Sequence, residues 1–598
     1  MAATWGSPNR LWTDHYNSLQ STAMGFYQQA SYRRLRARPT RALFLAVGTF
    51  FFLSVFILRS SSGSSENHVS KYPPYHTFHD SPEDAQIIPT PGHLFNLNDT
   101  LPNNLQKANP SFHLVIPARK KSRSLCRMLT SAMILNYPPP TLISYGRSLP
   151  EGSREYDALV DRITGIYNFL EYTPHVHDDD FVLIVDGQDF FFQLPPEVMI
   201  QRFQNLLREN NAKLLKKYGL YSRRGGEQEA QKYAHRVLFA ASKECLPSLS
   251  SDAGCVTVPS SSLPPDAYGW KTDHHPQGHL NRPRWIKPGA AIGQVGDLKA
   301  IYAELLHFVD QHRNVRGDYL ALTQMFGRQE YVRELERRKN SNFFKELFYS
   351  MIGISEASNT TGVAPHLESG RRYEYGIGVD YQSDVFFNML NSKSDVEWLK
   401  YYNVSKTSSV QMEHGVPREH RLLLPTDLSA EQVGSPFAQP KFGKDEWVSP
   451  AFNKTLDGLP NAKNHTWNHI PLLTNVHTAS IPALVHLDGD PALRDKWWSK
   501  MWYQPYARAL LRKYVRSPTG FDAAQSAMLG GQEWWDLRGG KGGVWTDKGE
   551  WLGYAEVCIG YERDLFNDGF GSWGHEEGGD DEEPVYNQFG NLIKGKEN

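Results

Sequence analysis

The sequence lacks an excess of charge of either sign: 598 residues carry a formal net charge of -1. Bulk electrostatics therefore give no reason to expect nucleic acid or an acidic polymer as a partner. There is no internal repeat. The glycine-rich stretch GGQEWWDLRGGKGGVW lacks the Lys-Ser/Thr ending of a phosphate-binding P-loop, which leaves turns as its reading. Cysteine is scarce, with Cys126, Cys245, Cys255 and Cys558 making four in all. Acid is almost missing from residues 1 to 41, which hold six arginines (Arg10, Arg33, Arg34, Arg36, Arg38, Arg41) and Asp14 alone.

Directly after those arginines runs ALFLAVGTFFFLSVFIL, residues 42 to 58. As a helix these residues would span about 25 Å, near the lower limit for crossing a bilayer. A buried core helix is the competing reading, but the stretch is apolar on every face and bracketed by Arg41 and Arg59. A cleaved signal peptide fits poorly, because the run starts late and no small-residue cleavage site comes after it. The basic side of a span stays in the cytosol. The expectation is a single-pass type II protein: cytoplasmic tail 1–41, signal anchor 42–58, and the rest luminal. A short span suits the thin membranes of the endoplasmic reticulum or Golgi.

The sequons agree with that topology. Asn98, Asn359, Asn403, Asn453 and Asn464 each begin an N-x-S/T triplet, and none precedes the span. The cysteines also lie beyond it, on the side where disulfides persist; Cys245 and Cys255 are close enough in sequence to close a small loop, or else are free thiols. Residues 59–109 are Ser- and Pro-rich without periodicity, which suits a luminal stem.

From residue 110 the texture changes to alternating elements. FHLVIPA, TLISYG and FVLIV read as buried strands; the stretch through SLCRMLTSAMILNY and YDALVDRITGIYNFLEY reads as helical. RVLFAA, AAIGQV and PALVHL add apolar segments. The fold class expected is α/β, a mostly parallel sheet flanked by helices. Residues 405–480 read as a polar surface insertion. Residues 516–598 read as a Gly/Trp-rich C-terminal region ending in an acidic, solvated tail.

The chemistry concentrates at FVLIVDGQD, where Asp186 is the first residue past a strand and Asp189 lies three further on. Ligands of open α/β sheets bind beyond the carboxyl ends of strands. Two carboxylates on such a turn can share a hard divalent ion, Mn²⁺ or Mg²⁺, which commonly bridges to substrate phosphates. The rival reading is a capped turn with no ligand.

The strand followed by D-x-x-D resembles the metal motif in the glycosyltransferase domain of the collagen lysyl hydroxylases and procollagen glycosyltransferases. VLFAASKECLP, WIKPGAAIGQVGDLKAI, YLALTQMF, GVDYQSDVFFNML and IPALVHLDGD are similar to segments of that family in the same order, over roughly residues 110–510. The resemblance implies a GT-A (Rossmann-like) fold, Mn²⁺ (or Mg²⁺), and a UDP-sugar donor. It also implies metal ligation by Asp186, Asp189 and His486. Gln324, Asp380, Asp488 and Gly489 would then line donor or acceptor, Gly489 keeping backbone near the diphosphate free of a side chain. Each has a structural rival: His486 a hydrogen-bonded strand-end histidine, Asp380 a cap on a helix-like SDVFFNML, Gln324 a packing residue.

Departures from the family fall at its substrate-contacting positions: Ala241-Ser242, Lys287-Pro288-Gly289, and Leu322-Thr323 before the glutamine. Nothing matches the iron-binding hydroxylase half, so hydroxylation is not implied. HVHDDD, residues 175–180, precedes the strand and reads as a surface loop. Trp497, Trp498 and Trp502 could stack on a sugar but read better as core. The resulting expectation is a metal-dependent transferase moving a hexose from a UDP-sugar to a protein or glycan hydroxyl. The alternatives are a non-catalytic, membrane-anchored luminal scaffold and a metal-dependent phosphohydrolase.

Overall fold

Each of the first strands alternates its side chains between two separate cores. The structure, a computed structural model, describes residues 111–221, 230–245, 253–312, 318–339, 365–417, 421–439, 452–516 and 540–576, with Pro450, 585–586 and 592–594. The expected tail, signal anchor and stem, the sequons at Asn98 and Asn359 and most of the acidic tail lie outside these residues. Among the described residues no helix is long and apolar enough to cross a membrane.

The elements run β1 (Phe112–Pro117), α1 (Arg123–Ile134), β2 (Thr141–Ile143), α2 (Glu155–Tyr172), β3 (Phe181–Val185), β4 (Phe190–Phe192) and α3 (Pro196–Tyr218). Then come β5 (Val237–Ser242), β6 (Trp285–Gln294), α4 (Val295–Gln311), α5 (Asp318–Lys339), β7 (Ile377–Asp380) and β8 (Phe386–Asn388). The chain continues through β9 (Val396–Leu399), β10 (Leu472–Asn475), β11 (Leu484–His486), α6 (Pro491–Trp498), α7 (Ala507–Arg516), β12 (Gly543–Thr546) and β13 (Trp551–Gly553).

Eight strands form one sheet in the order β13-β12-β2-β1-β3-β6-β5-β7, in which only β6 and β13 run against the rest. Phe112, Leu114, Leu183 and Val185 enter the core beneath α1, whereas Val115, Val182 and Ile184 enter the core with α2 and α4. Burial on both faces is why β1 and β3 read as unbroken apolar runs. The fold is thus mixed α/β with a large, mostly parallel central sheet. Among the smaller sheets of the described residues are β8-β11-β4 and the antiparallel pair β9-β10.

Three expectations about organisation need correction. Residues 405–480 are not only a surface excursion: Leu428, Phe437, Trp467 and Leu472 are buried in the first core, and Leu456 is buried as well. Arg202 of α3 fastens the segment, its Nε 2.6 Å from Asp427 Oδ2. The Gly/Trp-rich region, whose glycines read as turns, also contributes a strand. Its GVWT forms β12, which pairs in parallel with β2, and Cys558 is bonded to Cys126 of α1. The second disulfide joins Cys245 to Cys255. SDVFFNML, finally, forms strand β8 and turns, not a helix.

Local contacts settle several smaller readings. Asp180 of HVHDDD is fully buried, its Oδ2 3.0 Å from His113 Nε2 and its Oδ1 accepting the Ser111 N–H at 2.7 Å; its neighbours His177, Asp178 and Asp179 are exposed. Trp497, Trp498 and Trp502 are core, with Trp498 against Phe191 and Trp502 against Trp467. Contacts divide the chain into Met1–Tyr75, outside the described residues, and His76–Asn598, which holds every element above.

Glu197, in the first turn of α3, has a buried Oε2 with no hydrogen-bond partner. Burial, opposed only by the residue's own backbone N–H, pushes its carboxyl up to about 8. A raised carboxyl pKa means the folded state binds the proton more tightly, so stability is full below about 4.5 and is lost as pH rises through about 8. Melting curves from pH 4.5 to 9 should show a falling melting temperature, and Glu197→Gln should flatten that slope.

Candidate functional site

The turn after β3 is held on both sides by backbone. The Asp186 N–H donates to Gly289 O at 2.7 Å, which keeps Asp186 level with the Val185–Ala290 pair at the sheet's carboxyl edge. Gly187 passes so close to β1 that an added Cβ would lie 2.5 Å from Pro117 O. Asp189 then takes a left-handed conformation, φ +68°, which redirects the chain into β4.

β4 brings in a strand from far along the sequence. It pairs antiparallel with β11, setting His486 opposite Phe190, and the Leu487 N–H donates to Asp189 O at 2.7 Å. The His486 ring stacks on Phe190 with centroids 4.1 Å apart. Gly289, at φ +111°, lies between the two sides: an added Cβ would be 3.3 Å from His486 Cε1 and 3.4 Å from Asp186 Oδ2. Those two atoms are therefore within about 7 Å of each other, with a gap no larger than a methyl group beside Gly289 between them.

The charges around that spot are paired across elements. Asp186 Oδ1 lies 2.5 Å from Arg162 of α2, which also reaches Asp318 at the start of α5 (3.4 Å). Asp189 Oδ2 lies 2.7 Å from Arg494 of α6, and its Oδ1 accepts a long 3.4 Å contact from Ser124 of α1. Asp488 is paired with Lys287 of β6 and accepts the Leu390 N–H at 3.2 Å. The Lys287 ammonium also lies 5.0 Å from the Tyr319 ring centroid.

Titration reflects this arrangement. Burial raises Asp186 to about 6 against the pull of Arg162, while Asp318 and Asp189 add to the rise. Burial likewise raises Asp189, opposed by Arg494. Burial lowers His486 to about 4, assisted by the Lys287 and Arg494 cations. The imidazole is therefore neutral at physiological pH, the form that ligates metals.

Two carboxylates and a neutral imidazole are the donor types a hard-to-borderline divalent ion takes, and the buried His486 Nδ1 has no hydrogen-bond partner. The residues match such an ion in donor type, but they are not gathered around a common point. They stand further apart than ligand distance: among the described residues no group of three His, Cys, Asp or Glu side chains is gathered for a metal. Asp186 and Asp189 would have to give up their guanidinium partners first.

The remaining expected residues divide. Asp488 belongs to the cluster through Lys287. Gly489, at φ +99°, is required by its backbone rather than by crowding, since an added Cβ would come no nearer than 3.7 Å to Leu390. Gln324 is half-buried on α5, the helix whose first residue pairs with Arg162. Asp380 is corrected to a structural role: it is fully buried, and its carboxylate accepts N–H groups from Asp384, Val385 and Phe386 (3.3, 2.8 and 2.9 Å). Nothing of it is left to face a substrate.

Sequence reading missed Arg162 and Arg494, and noted Lys287 only as a departure. Arg162 looks like any polar residue in an amphipathic helix, and Arg494 like any first-turn charge. Their one signal is proximity to acids that no local pattern reveals.

No family model matches the chain, and no curated protein matches it. Among solved structures, it is similar to 2-C-methyl-D-erythritol 4-phosphate cytidylyltransferase of Francisella tularensis. The identity is 12%, covering 36% of this chain and 87% of that one, with a TM-score of 0.16. A superposition that loose carries no argument about this chain.

Gly289→Ala should test the gap directly. The new Cβ would enter between His486 and Asp186 and force a backbone that L side chains avoid, costing about 1–3 kcal/mol. Thermal denaturation should show that loss, and Mn²⁺ titration should show weakened binding beyond it.

Proposed function

We propose that the chain is a metal-dependent glycosyltransferase with a GT-A-like fold, moving a hexose from a UDP-sugar to a hydroxyl of a protein or glycan. The observation that carries this reading is the placement of Asp186 and His486 on either side of the gap beside Gly289, at the carboxyl edge of a mostly parallel sheet. Asp186, Asp189 and His486 would hold the ion, Mn²⁺ or Mg²⁺. When bound, such an ion supplies positive charge against that gathering on a departing diphosphate.

The chain's own residues do the rest. Burial keeps His486 neutral and so able to ligate. Gly289 leaves room that any side chain would fill. Arg162, Arg494 and Lys287 stand at the same carboxylates and are suited to phosphate oxygens, the guanidiniums by paired N–H donors.

One observation favours the second reading, a non-catalytic luminal scaffold: each of Asp186, Asp189 and Asp488 already has a cation partner. Hydrolysis of a panel of UDP-sugars by the full chain with Mn²⁺, with Asp189→Ala alongside, separates the readings. Transferase chemistry releases sugar plus UDP, and the variant should lose more than the roughly 100-fold that removing an outer metal contact costs. No turnover with any donor supports the scaffold, and release of inorganic phosphate supports a phosphohydrolase.

The proposed setting is the lumen of the endoplasmic reticulum or Golgi, with anchoring through residues 42–58. Of the described sequons, Asn403 and Asn464 are exposed. Asn453 is buried, and its Oδ1 accepts the Thr455 and Leu456 N–H groups at 2.8 and 3.1 Å. In a glycosylating host, peptide mapping after glycosidase treatment should find Asn403 and Asn464 occupied and Asn453 bare. An unglycosylated Asn403 and Asn464 would count against a luminal location.

A further inference from the structure

The short helix Val404–Glu413 carries apolar side chains on two faces. Thr407, Val410 and Gln411 turn inward and are buried. Val404 and Met412, with Ser408 between them, recur every four residues and so form a second stripe, about 12 Å long. That stripe faces water: Val404 is 65% and Met412 64% exposed, and Tyr402, just ahead of the helix, is 55% exposed. One face of the Tyr402 ring is stacked on His469, with centroids 5.2 Å apart, which leaves the other face to solvent. An isolated exposed apolar residue is ordinary, but a row of them at the head and along one side of a helix marks a surface that something covers.

The head of the stripe holds Asn403, the first residue of the sequon Asn403-Val404-Ser405. Asn403 caps the helix: its Oδ1 accepts the Lys406 N–H at 3.1 Å, and its backbone O accepts the Thr407 N–H at 3.1 Å. The cap uses the amide oxygen and leaves Nδ2, the atom that takes sugar, on the exposed side. It also fixes the plane of the amide, so a sugar joined to Nδ2 leaves in one direction, beside Tyr402 and Val404. Asn464, the other exposed sequon, lies in a turn, and no exposed large apolar residue adjoins it in sequence among the described residues.

Resting on the luminal location but not on the transferase reading, we propose that the glycan on Asn403 is the cover of this stripe, its first pyranose rings laid by their C–H faces on Tyr402, Val404 and Met412. In the attachment step Asn403 Nδ2 bonds to the anomeric carbon of an oligosaccharide, the bond from that carbon to its lipid diphosphate carrier breaks, and the amide proton leaves with the diphosphate. Pyranose rings carry C–H groups on their faces and hydroxyls on their rims. Such a cover therefore removes apolar surface from water and presents a polar one in its place.

The test uses the full chain from a glycosylating host, with Met412 as the reporter, because peroxide converts an accessible thioether to the sulfoxide. Ser405→Ala removes the sequon and keeps the Asn403 cap, and alanine at that exposed helical position does not weaken the helix. Met412 sulfoxide should then form severalfold faster than in the unsubstituted protein, while Asn464→Gln should leave the rate unchanged. Enzymatic release of the glycan by amide cleavage, an Asn403→Asp change that also preserves a capping side chain, should match Ser405→Ala. The cover is overturned if Met412 oxidises equally fast with and without the Asn403 glycan, or if Asn403 is bare while Asn464 is occupied; the luminal location survives either result. Oxidation that is slow in both forms and quickens on dilution assigns the stripe to a second copy of the chain, and likewise overturns the cover. Both sequons bare removes the cover and the luminal location together.

Discussion

The pairing of β4 with β11 is the constraint on which the site depends. Three residues just past the aspartate turn form an antiparallel ladder with three residues nearly three hundred positions later, and the register sets His486 against Phe190. Ring stacking and the Leu487–Asp189 backbone hydrogen bond fix the same relation twice more. Without this ladder the turn would be an acidic corner at a sheet edge. With it, the turn faces an imidazole across an opening that glycine keeps clear.

Electrostatics then give the corner its character. Burying carboxylates without partners is costly, and the chain answers with cations drawn from different elements. The result is a site whose positive and negative groups are interleaved rather than segregated. Arg162 serves Asp186 and Asp318 together, so α2, the β3–β4 turn and α5 share one electrostatic junction.

How much of this was legible depended on distance along the chain. β1 and β3 could be read because burial on both faces leaves an unbroken apolar run. α2 could be read because its buried residues recur at helical spacing. Asp186 stood out because an acid ending such a run has a position as well as a type. The 405–480 segment misled because its buried residues, Leu428, Phe437, Leu456 and Trp467, are scattered without a period and surrounded by polar ones. Asp380 misled for a related reason: a capping carboxylate and a ligand carboxylate look alike until the backbone amides around them are placed. β12 was hidden because its four residues are too short a run to show alternation and sit among glycines that read as turns, and its partner β2 lies some four hundred residues earlier.

That last separation bears on how the protein is made. β2 would be the margin of the sheet were it not for β12, and the link between Cys126 and Cys558 spans 432 residues. At ordinary elongation rates a ribosome takes roughly 20–90 s to cover that distance. For that interval the nascent sheet presents a bare row of amides and carbonyls, the kind of template on which neighbouring chains add themselves. The edge at β2 is therefore covered only once residues 543–546 have emerged.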